Sequence, residues 1–155
     1  MRISTRINGV LRQVECLPGA TLLDVLRGLG IKSVKQGCDQ EGTCGACTVL
    51  IDGLAMLSCI TPAPKAAGRE VLTVEGLGDP TRPHPLQTAF VDAGAVQCGY
   101  CTPGMILSAK SLLDRIPAPS DDQIAEALSG NLCRCTGYVK IVDAVRNAST
   151  ALAGD

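Results

Sequence analysis

Aromatic side chains are almost missing from this chain: tryptophan is absent, and Phe90, Tyr100 and Tyr138 are all there is. Any core must therefore be built from Leu, Val, Ile and Ala, and a hydrophobic content of 46% can supply one. Histidine is reduced to His84, set between Pro83 and Pro85, a place for a turn or helix entry rather than proton transfer. No sign of charge dominates: the formal net charge is −1 with the signs interspersed, so there is no basic field to hold nucleic acid or an anionic membrane. No apolar run approaches the ~20 residues of a membrane span. Met1-Arg2-Ile3-Ser4-Thr5-Arg6 alternates polar and apolar residues and lacks the apolar stretch of a secretory signal. A reducing, cytoplasmic setting is the expectation, and 155 residues suit one ordinary domain or two small ones.

Cysteine, by contrast, is abundant. Eight of nine fall into two sets of four: Cys38, Cys44, Cys47 and Cys59 (C-x5-C-G-A-C-x11-C), and Cys98, Cys101, Cys133 and Cys135 (C-G-Y-C-x31-C-R-C). In a reducing compartment cysteine serves as ligand or catalyst more often than as disulfide. The odd count and the single residue between Cys133 and Cys135 also fit a disulfide framework poorly. Four thiolates from glycine-rich loops are what a [2Fe–2S] cluster requires, so the count points to two clusters and to single-electron transfer. Structural zinc is the rival, because C-x2-C pairs also hold zinc. Neither set contains a histidine, however, and Gly37, Gly42 and Gly45 flank the first ligands. Such glycines let main-chain N–H groups turn towards bridging sulfides, which zinc lacks. A thioredoxin-like dithiol at Cys98 and Cys101 would leave Cys133 and Cys135 unexplained. The ninth cysteine, Cys16, alternates with Val14 on a strand and reads as a small core hydrophobe.

The hydrophobic periods divide the chain into two halves and predict an α+β fold. Residues 1–75 read as strands around one helix. Arg2–Ile7 and Val10–Cys16 flank an Asn8-Gly9 hairpin turn, and a helix opens at Thr21 and ends at Gly30. Cys47–Ile51 and Glu70–Val74 add further strands. Residues 76–85 carry three prolines and two glycines and read as a connection. Residues 86–155 are helical in period, four short helices that suggest a bundle. They comprise Leu86–Ala93, a helix capped by Thr102 with Pro103 at its first position, one capped by Ser120, and one capped by Thr136. Cys101 and Cys135 would then each precede a helix start, aiming two positive helix ends at one point between the cysteine pairs.

Three long motifs carry a family resemblance. Gly37-Cys38-Asp39-Gln40-Glu41-Gly42-Thr43-Cys44-Gly45-Ala46-Cys47-Thr48-Val49 resembles the N-terminal cluster loop of the molybdenum hydroxylases, the xanthine dehydrogenase-like enzymes. Gln97-Cys98-Gly99-Tyr100-Cys101-Thr102-Pro103-Gly104-Met105 and Gly130-Asn131-Leu132-Cys133-Arg134-Cys135-Thr136-Gly137-Tyr138 are similar to their second cluster site. The resemblance implies a small iron–sulfur subunit with a ferredoxin-like β-grasp domain followed by a helical [2Fe–2S]-binding domain. Its implied partners are a medium FAD-binding subunit and a large subunit carrying molybdopterin-bound molybdenum, assembled as a dimer of heterotrimers. Cys38, Cys44, Cys47 and Cys59 would hold the FAD-side cluster; Cys98, Cys101, Cys133 and Cys135 would hold the molybdenum-side one. Gln97 would hydrogen-bond the pterin, with Cys135 on the segment that approaches it. The role implied is an electron relay within an oxidoreductase, with substrate chemistry on another chain and no catalytic residue on this one. A free-standing ferredoxin-like carrier and a zinc-stabilised interaction module are the competing readings.

Overall fold

Arg2–Ile7 (β1) and Val10–Glu15 (β2) form an antiparallel hairpin around Asn8-Gly9. Asn8 (φ 50°) and Gly9 (φ 79°) both take the left-handed conformation that matches a type I′ turn to the strand twist. Alternation along β1 buries Ile3, Thr5 and Ile7 and exposes Arg2, Ser4 and Arg6. The computed structural model describes residues 1–154; Asp155, the end of the expected helical domain, lies outside the described residues. Leu22–Gly28 (α1) follows, opened by a capping box. The Asp24 N–H donates to Thr21 Oγ1 at 3.2 Å, and the Thr21 N–H donates back to Asp24 Oδ2 at 2.9 Å. Its buried face, Leu22, Leu23 and Leu26, packs with Ile7, Val49, Ile51 and Val71.

Thr48–Ile51 (β3), Leu54–Leu57 (β4) and Glu70–Leu72 (β5) complete a mixed sheet of order β2-β1-β5-β3-β4. β1 and β5 run parallel and the other neighbours antiparallel. β4 is a strand that the sequence pattern does not announce. Leu54-Ala55-Met56-Leu57 has no β-branched alternation, and the strand forms because the Asp52-Gly53 turn folds it back onto β3.

The helical half comprises a short Val74–Leu77 turn of helix (α2), Pro85–Asp92 (α3), Thr102–Arg115 (α4), Asp121–Leu128 (α5) and Val139–Ala153 (α6). Phe90, Met105, Ile106, Leu112, Ile124, Ile141 and Val145 share one apolar core there. His84 is the N-cap of α3: its Nδ1 accepts from the Leu86 N–H at 3.1 Å, and its own N–H donates to Gln87 Oε1 at 2.9 Å. Ser120 caps α5 in a second capping box. None of the described helices is long and apolar enough to cross a membrane.

Two helix starts differ from expectation. α4 begins at Thr102 with Cys101 as its N-cap, and no side chain caps it. α6 begins at Val139 after Tyr138, whose φ of 69° is left-handed, so Thr136 caps no helix. The Thr136 hydroxyl is engaged instead with Cys133 Sγ at 3.1 Å. One helix end, not two, therefore starts at a candidate ligand.

The halves meet over a buried contact. Ser111 on α4 donates to the Gly53 carbonyl at 2.9 Å and accepts from the Ala55 N–H at 3.2 Å. That pair of bonds satisfies backbone groups of the β3–β4 hairpin. The two cysteine-bearing regions come together beside this contact.

Candidate metal centres

Cys38 and Cys44 lie on the loop between α1 and β3, Cys47 at the mouth of β3, and Cys59 in the turn after β4. Cys47 and Cys59 are buried members of the same apolar cluster as Leu22 and Val49. Cys98 and Cys101 precede α4, while Cys133 and Cys135 lie between α5 and α6. Here Cys101 is buried, Cys133 half-buried, and Cys98 and Cys135 exposed. All eight are free thiols, as is Cys16.

Within each set the thiols lie beside one another: Cys38 interacts with Cys44, Cys47 with Cys59, Cys101 with Cys133, and Cys98 with Cys135 at 3.5 Å, and the charge of each pair is also felt by the other. Two neighbouring pairs at each site suit a dinuclear core with two thiolates on each iron. Main-chain N–H groups turn towards the sulfurs: Thr43 to Cys38, Ala46 to Cys44, Gly42 to Cys59, Tyr100 to Cys98, and Thr136 and Cys135 to Cys133. Donors so placed stabilise an anion.

The same crowding and the nearby N–H groups shift the thiols in opposite directions. The Thr43 N–H holds Cys38 down at about 6, while burial pushes Cys44 upward. Burial, reinforced by Cys47, pushes Cys59 to about 12. Burial, reinforced by Cys133, does the same to Cys101, again to about 12. Burial opposes ionisation of Cys133, but the Thr136 hydroxyl and N–H outweigh it and bring that thiol to about 7. Cys98 and Cys135 sit 3.5 Å apart; the Tyr100 N–H, helped by the Cys135 thiol, lowers Cys98, and donating to Cys98 raises Cys135. Each site thus mixes thiols that ionise readily with thiols that resist, and bound cations would draw the remaining protons off.

Gln97 is exposed and precedes Cys98 in the chain. Cys16 is half-buried against Ile3, Val14, Val25 and Ala63, a packing role away from both sets.

Several residues beyond the ligands shape the sites. Asn131 is 4% exposed; its Nδ2 donates to the Gly45 carbonyl at 3.0 Å and to Thr48 Oγ1 at 3.3 Å, and its Oδ1 accepts from the Ser108 hydroxyl at 2.7 Å. The Leu132 N–H donates to the Cys44 carbonyl at 2.9 Å. Tyr100, between Cys98 and Cys101, donates its hydroxyl to the Gln36 carbonyl at 2.8 Å, with Lys35 Nζ 5.8 Å from its ring centre. Tyr138 Oη accepts from the Cys133 N–H at 2.8 Å. A polar residue two positions before a ligand cysteine was the available signal for Asn131, but burial is what gives it meaning.

Comparison with known proteins is consistent along the whole chain. Residues 5–73 match a 2Fe-2S iron-sulfur cluster binding domain, and residues 73–146 match a [2Fe-2S] binding domain. A nicotinate dehydrogenase subunit from Pseudomonas putida is 53% identical over 148 residues, covering 95% of this chain and 94% of that protein. The xanthine dehydrogenase iron-sulfur-binding subunit of Escherichia coli O157:H7 is 46% identical over 92% of this chain and 91% of its own length. A crystal structure of quinoline 2-oxidoreductase from Pseudomonas putida 86 superposes with a TM-score of 0.93 at 46% identity, over 99% of this chain and 96% of that one.

Proposed function

This chain belongs to the molybdenum hydroxylase family as one of its iron–sulfur subunits, and from that membership we propose that its two cysteine sets each hold one [2Fe–2S] cluster. Cys38, Cys44, Cys47 and Cys59 hold the first; Cys98, Cys101, Cys133 and Cys135 hold the second. Its function is single-electron transfer within an oxidoreductase complex. The observation that supports these ligand sets most directly is the pairing of the thiols, two pairs at each site.

A bound cluster supplies a centre that takes up and returns one electron. The chain's own residues set where that happens and at what potential. The Thr43, Gly42 and Ala46 N–H groups at the first site, and the Tyr100 and Thr136 N–H groups at the second, favour added negative charge. The apolar cluster around Cys47 and Cys59 excludes water from one side of the first site. The start of α4 adds the positive end of a helix at Cys101.

The partners in this proposal are a large chain carrying molybdopterin-bound molybdenum and a medium chain carrying FAD, assembled as a dimer of heterotrimers in the cytoplasm. The second site faces the large chain and the first faces FAD. Exposure of Cys98, Cys135 and Gln97, together with Leu132 and Val139, supports a partner surface at the second site. In this arrangement Gln97 hydrogen-bonds the pterin, and Cys135 lies on the segment that approaches it. Substrate is chosen on the large chain; the likeness to nicotinate dehydrogenase and quinoline 2-oxidoreductase supports an N-heteroaromatic compound as the first to assay.

Purification of the chain from its native source tests this. A molybdenum-containing and an FAD-containing chain co-purify, with about four iron and four acid-labile sulfide per small chain. Two zinc ions and no iron would overturn the cluster reading, and an iron-loaded chain without partners would make it a free carrier.

A further inference from the structure

The contact between the two cysteine loops is tighter than holding two separate sites requires. A Cβ added at Gly45 would lie 2.3 Å from the Gly130 carbonyl oxygen and 2.7 Å from Asn131 Nδ2. One added at Gly104, in the first turn of α4, would lie 2.5 Å from the Gly45 carbonyl. The first loop, the start of α4 and the segment before Cys133 thus touch backbone to backbone. Gly45 tolerates this because it has no side chain and sits at φ +71°.

Asn131 lies at the centre of this contact, and its three hydrogen bonds reach three different elements. Nδ2 holds the Gly45 carbonyl of the first cysteine loop and the Thr48 hydroxyl at the start of β3; Oδ1 takes the Ser108 hydroxyl from α4. Thr48 in turn donates its hydroxyl to the Gly45 carbonyl at 2.7 Å. Asn131, Ser108 and Thr48 are all buried, so none of these bonds competes with water. The adjacent residue, Leu132, makes the direct link: its N–H meets the Cys44 carbonyl at 2.9 Å, and its peptide continues into Cys133. From Cys44 Sγ to Cys133 Sγ the connection is the Cys44 side chain and carbonyl, one hydrogen bond, the Leu132 backbone and the Cys133 side chain. The other cross-link, from Tyr100 to the Gln36 carbonyl, must pass through an aromatic ring and additional residues before it reaches a thiol.

We propose that Asn131 is a positioning residue that fixes the two metal-bearing loops in one register, so that the Cys44 carbonyl to Leu132 N–H hydrogen bond forms the main protein link between the two sites. Electronic coupling through protein decays steeply with added length and more steeply across gaps than along bonds. A clamp that keeps this bond closed therefore maintains the coupling. The transfer it serves moves one electron from the site that is reduced to the site that is oxidised; no bond is made or broken and no proton is required. The inference rests on the two-cluster reading above.

The test uses the complex purified with its native partners, carrying Asn131→Ala or Ser108→Ala. With both sites reduced, the magnetic interaction between them is read as splitting of the EPR signals. The iron content and unsplit signal of each site in the unaltered protein report separately whether two clusters exist. Asn131→Ala is expected to reduce or abolish the splitting while both individual signals remain, and Ser108→Ala, which removes one bond of three, to reduce it less. A purely structural asparagine would lower thermal stability and leave the splitting untouched, and that result overturns the proposal. If Asn131→Ala loses iron, Ser108→Ala decides: diminished splitting supports the clamp and unchanged splitting overturns it.

Discussion

Cys47 and Cys59 are packed into the same apolar cluster as Leu22, Leu23 and Val49, whereas Cys98 and Cys135 stand in the open on the helical half. At the first site the sheet itself provides the insulation, so ligand geometry and folding of the β-rich half are one problem. At the second site α4 and a short loop set the ligands, and half the sulfurs are exposed. Solvent, or a partner that displaces it, should therefore tune the second site more than the first.

Ligand replacement breaks this comparison most sharply. Cys59→Ser is expected to lower iron to about half and, by placing a hydroxyl in an apolar cluster, to cost ~1–3 kcal/mol of stability. Cys135→Ser should also lower iron to about half, yet change stability by less than ~0.5 kcal/mol, because its side chain is exposed. Iron analysis alongside thermal unfolding of both variants checks the difference; equal destabilisation would erase it.

Gly45→Ala attacks the place where the two sites touch. The left-handed φ alone costs ~1–2 kcal/mol for a residue with a Cβ, and the contact with the Gly130 carbonyl must also open. Stability should fall with both iron sites still loaded, as read by denaturation and EPR together.

A subtler change separates the sites by potential. Thr136 Oγ1 accepts from the Tyr138 N–H at 3.3 Å, which leaves its hydroxyl proton for Cys133 Sγ. That donor favours the more negative, reduced state. Thr136→Val should therefore lower the midpoint potential of the second site and leave the first in place, measured by EPR-monitored redox titration.

The smallest effect concerns the entry to the helical half. Burial, reinforced by Lys110, holds His84 below its ordinary value of 6.5, and its Nδ1 must stay unprotonated to accept from Leu86. The unfolded chain takes up the proton first, so this contribution is complete above 6.5 and is lost as pH falls through the depressed folded value. His84→Asn keeps an acceptor at the cap and should flatten that pH dependence. His84→Ala should cost ~1 kcal/mol near neutral pH.

Where structure is dictated locally, the sequence was legible. The Asn8-Gly9 hairpin and the boxes at Thr21 and Ser120 stand where side-chain chemistry and turn geometry put them. The two cysteine sets were also visible from spacing, as was their division between a mixed sheet and a helical half. What escaped is tertiary in origin. Thr136 looks like a cap but turns its hydroxyl to Cys133, and α6 starts later because Tyr138 is held left-handed with its hydroxyl on the Cys133 N–H. β4 depends on pairing with β3 rather than on its own composition. Asn131 reads as an ordinary loop amide until its burial between Gly45, Thr48 and Ser108 is seen.

The central claim, two one-electron centres built on paired thiols, is tested most directly by reducing the complex stepwise and integrating its EPR spectrum. Two distinct signals, each reaching about one spin per small chain, are the predicted result. A silent spectrum from a protein holding zinc and no iron would contradict it.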